Sequence, residues 1–486
     1  MFRLNNLFKI NLIITILIYK KTKIICTIGP SSGSVDTLVK MINAGMDVAR
    51  LNFSHGSYET HLEYINNIRK AAKLTGTHIP ILQDLSGPKI RIGKIENGKI
   101  EIKEGNEIII SSKEVMGNNN IISTNYKDII NDVKKNESLL IDDGKLKLII
   151  TSIDKSKKQL HCKVVKGGTL SEHKGLNLPD TKISLPSLTE KDLSDIKFGV
   201  DNSVNLVALS FVRLAKDIIE LKNVLNKYKS DVPVIAKIEK PEAIYHIDEI
   251  IKVSDIIMVA RGDLGVEVSP EDVPILQKMI IRKCNSALKP VITATQMLES
   301  MITNIIPTRA EASDVANAIL DGTDCVMLSG ETSVGLNPVL VVETMDKINA
   351  KTEGFKAPLD DKNHYKFKTF LCNITDSAAD IAERINAKAI ITLTHTGKSP
   401  VLLSSHRCKA QIIAIVRNQK IQTRCSLIWG VNPILDSKLS FSDKPGLINF
   451  LKANGHLQIN DIAVLIENTN LSENESANAL QIIKVK

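Results

Sequence analysis

Eight short runs of apolar, largely β-branched residues recur along the first two thirds of the chain. Each run is almost continuously apolar, which is typical of parallel strands buried on both faces. Helical patterns separate most of them; Ser34, for example, can cap a helix that stops near Gly45. Eight strand–helix units predict a closed (β/α)8 barrel, a TIM barrel of the α/β class. The runs are 23–27, 47–51, 79–84, 206–210, 233–238, 256–259, 291–294 and 325–328.

The third and fourth runs are separated by about 120 residues, where a barrel unit usually takes about 30. This interval contains short alternating stretches, such as 99–102 and 107–110, and turn pairs such as Asn97-Gly98 and Asp143-Gly144. We therefore predict a small β-barrel domain inserted after strand three. It would sit on the C-terminal face of the barrel, where active sites form, and could act as a lid.

Beyond the eighth run, residues 350–365 are charged and weakly patterned, which indicates a linker. A helical pattern at 375–385 and strand-like runs at 389–393, 412–416 and 462–465 predict a further α/β domain, which we interpret as regulatory. The predicted division is an N-terminal extension (1–20), the catalytic barrel (21–86 and 187–349), the inserted lid (87–186) and the C-terminal domain (350–486).

Composition narrows the function classes. The net charge is +9, but charges of both signs are interspersed and no basic–aromatic array is visible, so we expect no nucleic-acid partner. Seven scattered cysteines without a CxxC pair favour a reduced, cytoplasmic protein. The apolar run 12–19 is too short for a membrane span of about 20 residues. Residues 1–20 could be an extra segment or misassigned start, a helix packed on the body, or a targeting signal.

Polar residues follow seven of the eight predicted strands, and buried core strands do not need them. Lys237 and Glu239 are two apart in one strand and therefore share a face. Asp263 follows the next strand. Two carboxylates without His or Cys suit Mg²⁺, or Mn²⁺, better than zinc. Lys237 beside them could hold a phosphoryl group during transfer, because such transfer depends on positioning and charge neutralisation.

Neighbouring strand ends could complete a phosphate site. Arg50 and Arg91 are natural phosphate partners, and the Thr295 hydroxyl could donate or relay a proton. The backbone N–H groups of 262–265 could hold a carboxylate or a phosphate. There is no GxxxxGK[ST] loop, no GxGxxG loop and no HRD motif, so P-loop and protein-kinase sites are excluded.

Seven longer motifs, in this order, resemble those of pyruvate kinases from about Lys21 to the end of the chain. They are TKIICTIGP (22–30), NAGMDVARLNFSHG (43–56), IAKIE (235–239), MVARGDLG (258–265), ATQMLESM (294–301), PTRAE (307–311) and MLSGET (327–332). The resemblance implies transfer of a phosphoryl group from phosphoenolpyruvate to ADP, giving pyruvate and ATP in glycolysis, by a Mg²⁺-dependent enzyme that is commonly a homotetramer.

The resemblance also assigns roles residue by residue. Lys237 would stabilise the phosphoryl group in flight, Thr295 would serve the proton relay to the enolate carbon, and Arg50 would meet the substrate phosphate. Glu239 and Asp263 would hold the divalent metal. The substrate-binding residues would be Arg50, Lys237, Gly262, Asp263 and Thr295. The nucleotide-binding residues would be Asn52, Ser54, His55, Arg91 and Lys174.

The monovalent-cation region departs from the commoner family pattern. Residues matching Asn52, Ser54, Asp84 and Leu85 bind potassium in much of the family. Here Lys89 stands where potassium-dependent members carry glutamate, and Leu85 stands where they carry threonine. Because an ammonium could supply the monovalent charge, we expect activity without potassium. The alternative is that Lys89 is an ordinary surface lysine.

The C-terminal domain contains a stretch similar to the family's effector-phosphate loop, namely Thr394, Thr396, Gly397, Lys398 and Ser399. The late glycine-rich loop of bisphosphate-binding members is replaced by the polar, glycine-free stretch 468–478. We therefore expect a sugar monophosphate, or no effector, rather than fructose 1,6-bisphosphate. An ordinary strand–helix turn is the alternative for 394–399.

Two other functions remain open from the residues alone. A metal-dependent lyase of barrel type would also use a Glu/Asp–metal enolate site, but it would not need Lys237 beside the metal or a lid bearing Arg91. A non-enzymatic sensor of phosphometabolites would be favoured by loss of Lys237, Glu239, Asp263 or Thr295, and all four are present.

Overall fold

The computed structural model describes residues 20–355, 369–467 and 478–486. The apolar run 12–19, most of the predicted linker and nearly all of the polar stretch 468–478 lie outside these ranges. No helix within them is long and apolar enough to cross a membrane.

All eight predicted strands form one closed parallel barrel, in the order β1-β16-β15-β14-β13-β12-β3-β2. The strands are buried along almost their entire length, as their continuous apolar sequences require. Observed ends differ from the predicted ones by at most two residues; β3, for example, begins at Ile81, after Pro80. The barrel strands are β1 (Lys23–Thr27), β2 (Val48–Asn52), β3 (Ile81–Asp84), β12 (Leu206–Leu209), β13 (Val234–Ile238), β14 (Ile256–Ala260), β15 (Val291–Ala294) and β16 (Cys325–Leu328).

Helices surround the barrel, and their apolar faces pack on the outward side chains of the strands. α1 begins at Val35 with Ser34 as its N-cap, because the Ser34 hydroxyl accepts a bond from the Thr37 N–H. The helices are α1 (Val35–Asn43), α2 (Tyr58–Thr75), α4 (Glu190–Asp201), α5 (Ala215–Lys227), α6 (Pro241–Tyr245), α7 (Ile247–Val253), α8 (Arg261–Glu267), α9 (Val273–Ser286), α10 (Arg309–Leu320), α11 (Gly330–Ser333) and α12 (Pro338–Glu353), with a 3₁₀ turn at Glu299–Ile302.

The segment between β3 and β12 is built mainly of β-strands around its own apolar cluster. Six strands form one mixed sheet in the order β11-β7-β8-β9-β5-β6, and β10 pairs with β4. The elements are β4 (Lys99–Ile102), β5 (Glu107–Ser111), β6 (Ile121–Ser123), α3 (Ile129–Asp132), β7 (Ser138–Ile141), β8 (Leu146–Asp154), β9 (Gln159–Lys166), β10 (Gly168–Ser171) and β11 (Leu176–Asn177), with a 3₁₀ turn at Glu96–Gly98.

The C-terminal segment is a separate five-stranded α/β sheet in the order β19-β18-β17-β20-β21. Leu427 joins the apolar cluster inside the barrel, so this segment closes the barrel at the N-terminal ends of its strands. The elements are α13 (Phe370–Arg384), β17 (Ala389–Thr394), α14 (Lys398–Ser405), β18 (Gln411–Val416), α15 (Gln419–Cys425), β19 (Val431–Leu435), α16 (Lys444–Ala453), β20 (Ile462–Glu467) and β21 (Ala479–Lys484), with a 3₁₀ turn at Phe441–Asp443.

Two local expectations need correction. The predicted linker starts too early, because α12 continues to Glu353, whose carboxylate accepts the backbone N–H of Lys21. Two strands, β19 and β21, were not expected. The stretch 262–265 begins in the first turn of α8, where the N–H groups have no acceptor within the helix.

Candidate active site

The C-terminal ends of the barrel strands gather the predicted charged residues around Lys237. Ile235 lies in the apolar cluster inside the barrel, and residues two and four further along point the same way. This parity brings Lys237 and Glu239 to the inner rim of the barrel. The Lys237 ammonium nitrogen lies 2.9 Å from Glu239 Oε1, 3.3 Å from Asp84 Oδ1 and 2.7 Å from the Ser210 hydroxyl, to which it donates.

This arrangement keeps Lys237 charged although it is buried. Burial by itself lowers the pKa of a lysine, but the Asp84 and Glu239 carboxylates outweigh it and raise the pKa of Lys237 above its ordinary value. For Asp84, burial works in the opposite direction, and the Lys237 and Arg50 cations bring its pKa below the ordinary value. The pair is therefore ionised across the physiological range.

Arg50 is the second buried cation at the rim. Its Nε donates to Asp84 Oδ2 at 2.7 Å, and its Nη1 donates to the Thr27 hydroxyl at 2.7 Å. Among the described residues, its Nη2 has no hydrogen-bond acceptor, so a guanidinium edge is available for a phosphate.

The two oxygens of the Glu239 carboxylate have different partners. Oε2 accepts the Phe211 N–H at 2.6 Å. Oε1 is buried and accepts no hydrogen bond, although the Lys237 nitrogen is near. Burial raises the pKa of Glu239, and the Lys237 ammonium opposes that rise. Because the Lys237 ammonium is the only group paired with this oxygen among the described residues, the oxygen keeps a lone pair for a hard cation, and the residues present fit a divalent metal.

The other predicted metal ligand, Asp263, lies in the first turn of α8. Its side chain is about one-third exposed and its Oδ1 is 3.8 Å from the Lys89 ammonium. Within the described part of the chain, no group of three or more His, Cys, Asp or Glu could hold a metal. A metal here would take two protein carboxylates and complete its shell with substrate and water oxygens.

Thr295 has an unusual backbone conformation, with φ of 68°. A positive φ is rare for a β-branched residue and marks local strain. Two contacts hold it in place: the hydroxyl accepts the Gly262 N–H at 2.7 Å, and the carbonyl accepts from Arg261 Nη2 at 2.7 Å. The Thr295 hydroxyl donates to the Ala294 carbonyl at 2.6 Å, and it would have to release this bond to relay a proton.

The predicted nucleotide residues divide into two sets. Asn52 accepts the Ser54 N–H at 3.2 Å, and His55 is exposed nearby at the barrel rim. Burial, together with the Arg91, Lys89 and Arg50 cations, lowers the pKa of His55. The second set lies on the inserted β-segment: Arg91 Nη1 donates to the His173 carbonyl at 2.9 Å, and Lys174 pairs with Asp142 Oδ1 at 2.8 Å.

The monovalent-cation region is partly dispersed. Asp84 is occupied by Arg50 and Lys237, and Leu85 is buried, with its carbonyl accepting the Ser210 hydroxyl at 2.7 Å. Lys89 faces Asp263 rather than Asp84.

The predicted effector loop forms a tight turn before α14. Gly397 has φ of 79°, which suits glycine, and its N–H donates to the Thr394 hydroxyl at 2.9 Å. Ser399 is buried at the start of the helix, and the Thr396 hydroxyl accepts the Lys398 N–H at 3.4 Å.

Two further residues, Ser210 and Glu331, position this site and were not predicted to do so. Ser210 bridges Lys237 to the Leu85 carbonyl, and its place at a strand end was the available signal. Glu331 is fully buried, with Oε1 accepting the Leu298 N–H and Oε2 accepting the Ser329 N–H, so it joins the loops after β15 and β16.

The barrel presents a buried lysine between two carboxylates, with an arginine beside it, which suits an enzyme that transfers a phosphoryl group. The family model described as "Pyruvate kinase, barrel domain" matches residues 19–342, and that described as "Pyruvate kinase, alpha/beta domain" matches residues 373–483. The chain belongs to the pyruvate kinase family, and it is an enzyme of that family.

Individual relatives agree. A pyruvate kinase of Geobacillus stearothermophilus is 44% identical over 469 residues, which is 95% of this chain and 80% of the relative. A pyruvate kinase of Staphylococcus aureus is 44% identical over 470 residues, with the same coverage. The crystal structure of a pyruvate kinase from Cryptosporidium parvum superposes with a TM-score of 0.89 at 37% identity and covers 96% of each chain.

Proposed function

We propose that this enzyme transfers the phosphoryl group of phosphoenolpyruvate to ADP and releases pyruvate and ATP, as a cytoplasmic step of glycolysis. The observation that carries the proposal is the Lys237 ammonium, buried and charged, paired with the Glu239 carboxylate at 2.9 Å on the inner rim of the barrel. Phosphoryl transfer needs a fixed cation at the moving group more than it needs a nucleophile from the protein.

In this proposal, the Lys237 ammonium neutralises the equatorial oxygens of the phosphoryl group as it moves, and Arg50 orients the same phosphate through its Nη2 edge. The Ser210 hydroxyl and the Asp84 carboxylate keep the ammonium aimed inward. Because these partners are already in place, little reorganisation is needed when charge shifts in the transition state.

The substrate carboxylate would lie against the N-terminal turn of α8, at Gly262 and Asp263, beside Thr295. Thr295 would relay a proton from solvent to the enolate carbon after transfer, so that its own hydroxyl is regenerated. Glu239 and Asp263 would hold Mg²⁺ or Mn²⁺, which would supply charge neutralisation between the two substrates. Asn52, Ser54 and His55 on the barrel, and Arg91 and Lys174 on the insert (87–186), would face the nucleotide.

The test is pyruvate formation from phosphoenolpyruvate, measured with and without ADP and with and without MgCl₂. The proposal expects turnover only when both ADP and the divalent metal are present. Pyruvate released without ADP would indicate a hydrolase or a lyase, and no turnover by a correctly folded protein would end the proposal.

We further propose that potassium is not required, because Lys89 places its ammonium group at the rim, 3.8 Å from Asp263 Oδ1. Activity should be equal in tetramethylammonium and potassium buffers. Activation by potassium of more than about fivefold would contradict this.

Regulation by a sugar monophosphate is the corresponding proposal for the turn at 394–399, which is supported by its hydroxyls, Lys398 and the start of α14. Assays with glucose 6-phosphate, ribose 5-phosphate and fructose 1,6-bisphosphate would distinguish a monophosphate effector, a bisphosphate effector and none. A homotetramer is expected from the family, and light scattering would measure it. The cytoplasmic location is supported by seven cysteines that are all free and buried.

A further inference from the structure

Glu267, the last residue of α8, is a buried carboxylate that joins the barrel to the inserted β-segment. Its side chain is 1% exposed. One oxygen, Oε1, accepts both from the Lys240 ammonium at 2.6 Å and from the Asn177 amide at 2.7 Å. The other oxygen, Oε2, is buried without a partner. Lys240 follows β13 and belongs to the barrel, whereas Asn177 lies in β11, the last strand of the insert.

The two ends of the insert meet at this point. Leu176 donates its N–H to the Ile90 carbonyl at 2.9 Å, so the segment that enters the insert lies beside β11, the strand that leaves it. Lys89 from the entering segment approaches Asp263 at the start of α8, and Asn177 from β11 reaches Glu267 at its end. Residues four apart share one helix face. One face of α8 therefore meets both ends of the insert.

The Lys240–Glu267 pair lies within the barrel and by itself would only stabilise it. The Asn177 bond differs because it exists only while the insert occupies its present position. Breaking it would leave Glu267 with one donor for two buried oxygens, which penalises displacement of the insert. The Asn177–Glu267 bond therefore affects the position of the insert relative to the barrel, and it is not needed for the barrel to fold.

We propose that Glu267, held by Lys240, is a latch that Asn177 engages to hold the insert over the rim that carries Lys237. The consequence for catalysis rests on the function proposed above. Asn177, Glu267 and Lys240 are positioning residues, since none is placed against the substrate or the metal. A nucleotide that binds between the insert and the barrel depends on that position. Loss of the latch should therefore raise the KM for ADP more than it lowers kcat.

The experiment compares Asn177→Ala with Asn119→Ala, a change at an exposed asparagine of the same insert. Asn177→Ala should lower kcat/KM for ADP about tenfold, mainly through KM, which corresponds to about 1.4 kcal/mol. Hydrogen exchange of the backbone amides in 89–92 and 175–178 should become about tenfold faster in the full-length protein. Asn119→Ala should change neither quantity.

A double-mutant cycle separates positioning from general destabilisation. Asn177→Asp alone sets a second carboxylate against Glu267 and should speed exchange at the two insert ends further. In a Glu267→Ala background the acceptor is already absent, so Asn177→Ala should add less than about threefold to the exchange rate and to the ADP KM. A merely structural role of Asn177 predicts the same loss in both backgrounds.

Hydrogen exchange is measured without turnover, so the latch and the proposed function are tested separately. Either one can be refuted while the other stands. Unchanged exchange protection at the two insert ends in Asn177→Ala would overturn the latch even if the parent enzyme makes pyruvate. An Asn177→Ala effect of full size in the Glu267→Ala background would overturn it as well.

Discussion

Replacing Lys237 by methionine removes the central cation of the site while keeping the length of its side chain. Two carboxylates lose that partner: Glu239, 2.9 Å away, and Asp84, 3.3 Å away. At an effective dielectric constant of about 20, a charge pair at 2.9 Å has a Coulomb energy of about 6 kcal/mol before desolvation. The expected net loss of folding stability is about 3–5 kcal/mol, because a buried carboxylate is left uncompensated.

The loss of rate has a separate origin. A cation that neutralises a moving phosphoryl group contributes about 10³- to 10⁵-fold to kcat in comparable reactions. This factor corresponds to an activation free energy that is lower by about 4–7 kcal/mol. We expect Lys237→Met to reduce pyruvate formation by at least about 10³-fold at saturating substrates. Circular dichroism and urea unfolding at the assay temperature establish that the variant is folded.

The matched control is Ser210→Ala, which removes the hydroxyl that orients the Lys237 ammonium but keeps the charge. It should cost about tenfold in kcat. If folded Lys237→Met turned over within about tenfold of the parent enzyme, the ammonium would have no part in transfer. If the two variants lost equal activity, position rather than charge would be what matters.

Thr295→Gly relieves a positive φ that costs about 1–2 kcal/mol, but it also removes the acceptor of the Gly262 N–H. Urea unfolding should therefore show a stability within about 1 kcal/mol of the parent, while kcat falls about 100-fold. A stable, fully active variant would refute the role of Thr295. Lys89→Glu replaces a positive with a negative charge, and activity should drop about tenfold in potassium-free buffer and recover on adding potassium; equal activity in both buffers would count against the assignment. Burial lowers the pKa of His61 and His78, so the unfolded chain binds protons that the folded one does not, and unfolding free energy should fall as pH drops below about 6.5. Urea unfolding at pH 7.5 and 5.5 measures this, and a rise in stability on acidification would show that the sign is wrong.

The barrel could be predicted from the sequence because its strands are buried on both faces and therefore appear as uninterrupted apolar runs. The meeting of the strand-end residues could be predicted from the parallel topology, since a parallel barrel brings the C-terminal ends of its strands to one rim. That Lys237 and Glu239 share one face could be predicted from the two-residue side-chain period of a strand alone.

Other features had no comparable local signal. α8 contains Gly262 and Gly265 within seven residues, and glycine lowers helix propensity, so the stretch looks like a loop until the barrel supports it. β19 contains Pro433, which an edge strand tolerates and a central strand does not. The bond of Asn177 to Glu267 joins residues 90 positions apart, which only the folded chain brings together.

The strain at Thr295 is likewise a property of the assembled site. Nothing in the run before it predicts a positive φ, because the conformation depends on Arg261 holding its carbonyl and on Gly262 donating to its hydroxyl.

Transfer of the phosphoryl group from phosphoenolpyruvate to ADP can be followed on the phosphorus atom itself. Phosphorus NMR of the enzyme with phosphoenolpyruvate, ADP and MgCl₂ in potassium-free buffer should show the substrate phosphate lost and the γ-phosphate of ATP gained in equal amounts, with pyruvate formed one for one. Appearance of inorganic phosphate in place of ATP, or no reaction by the folded enzyme, would contradict phosphoryl transfer to ADP.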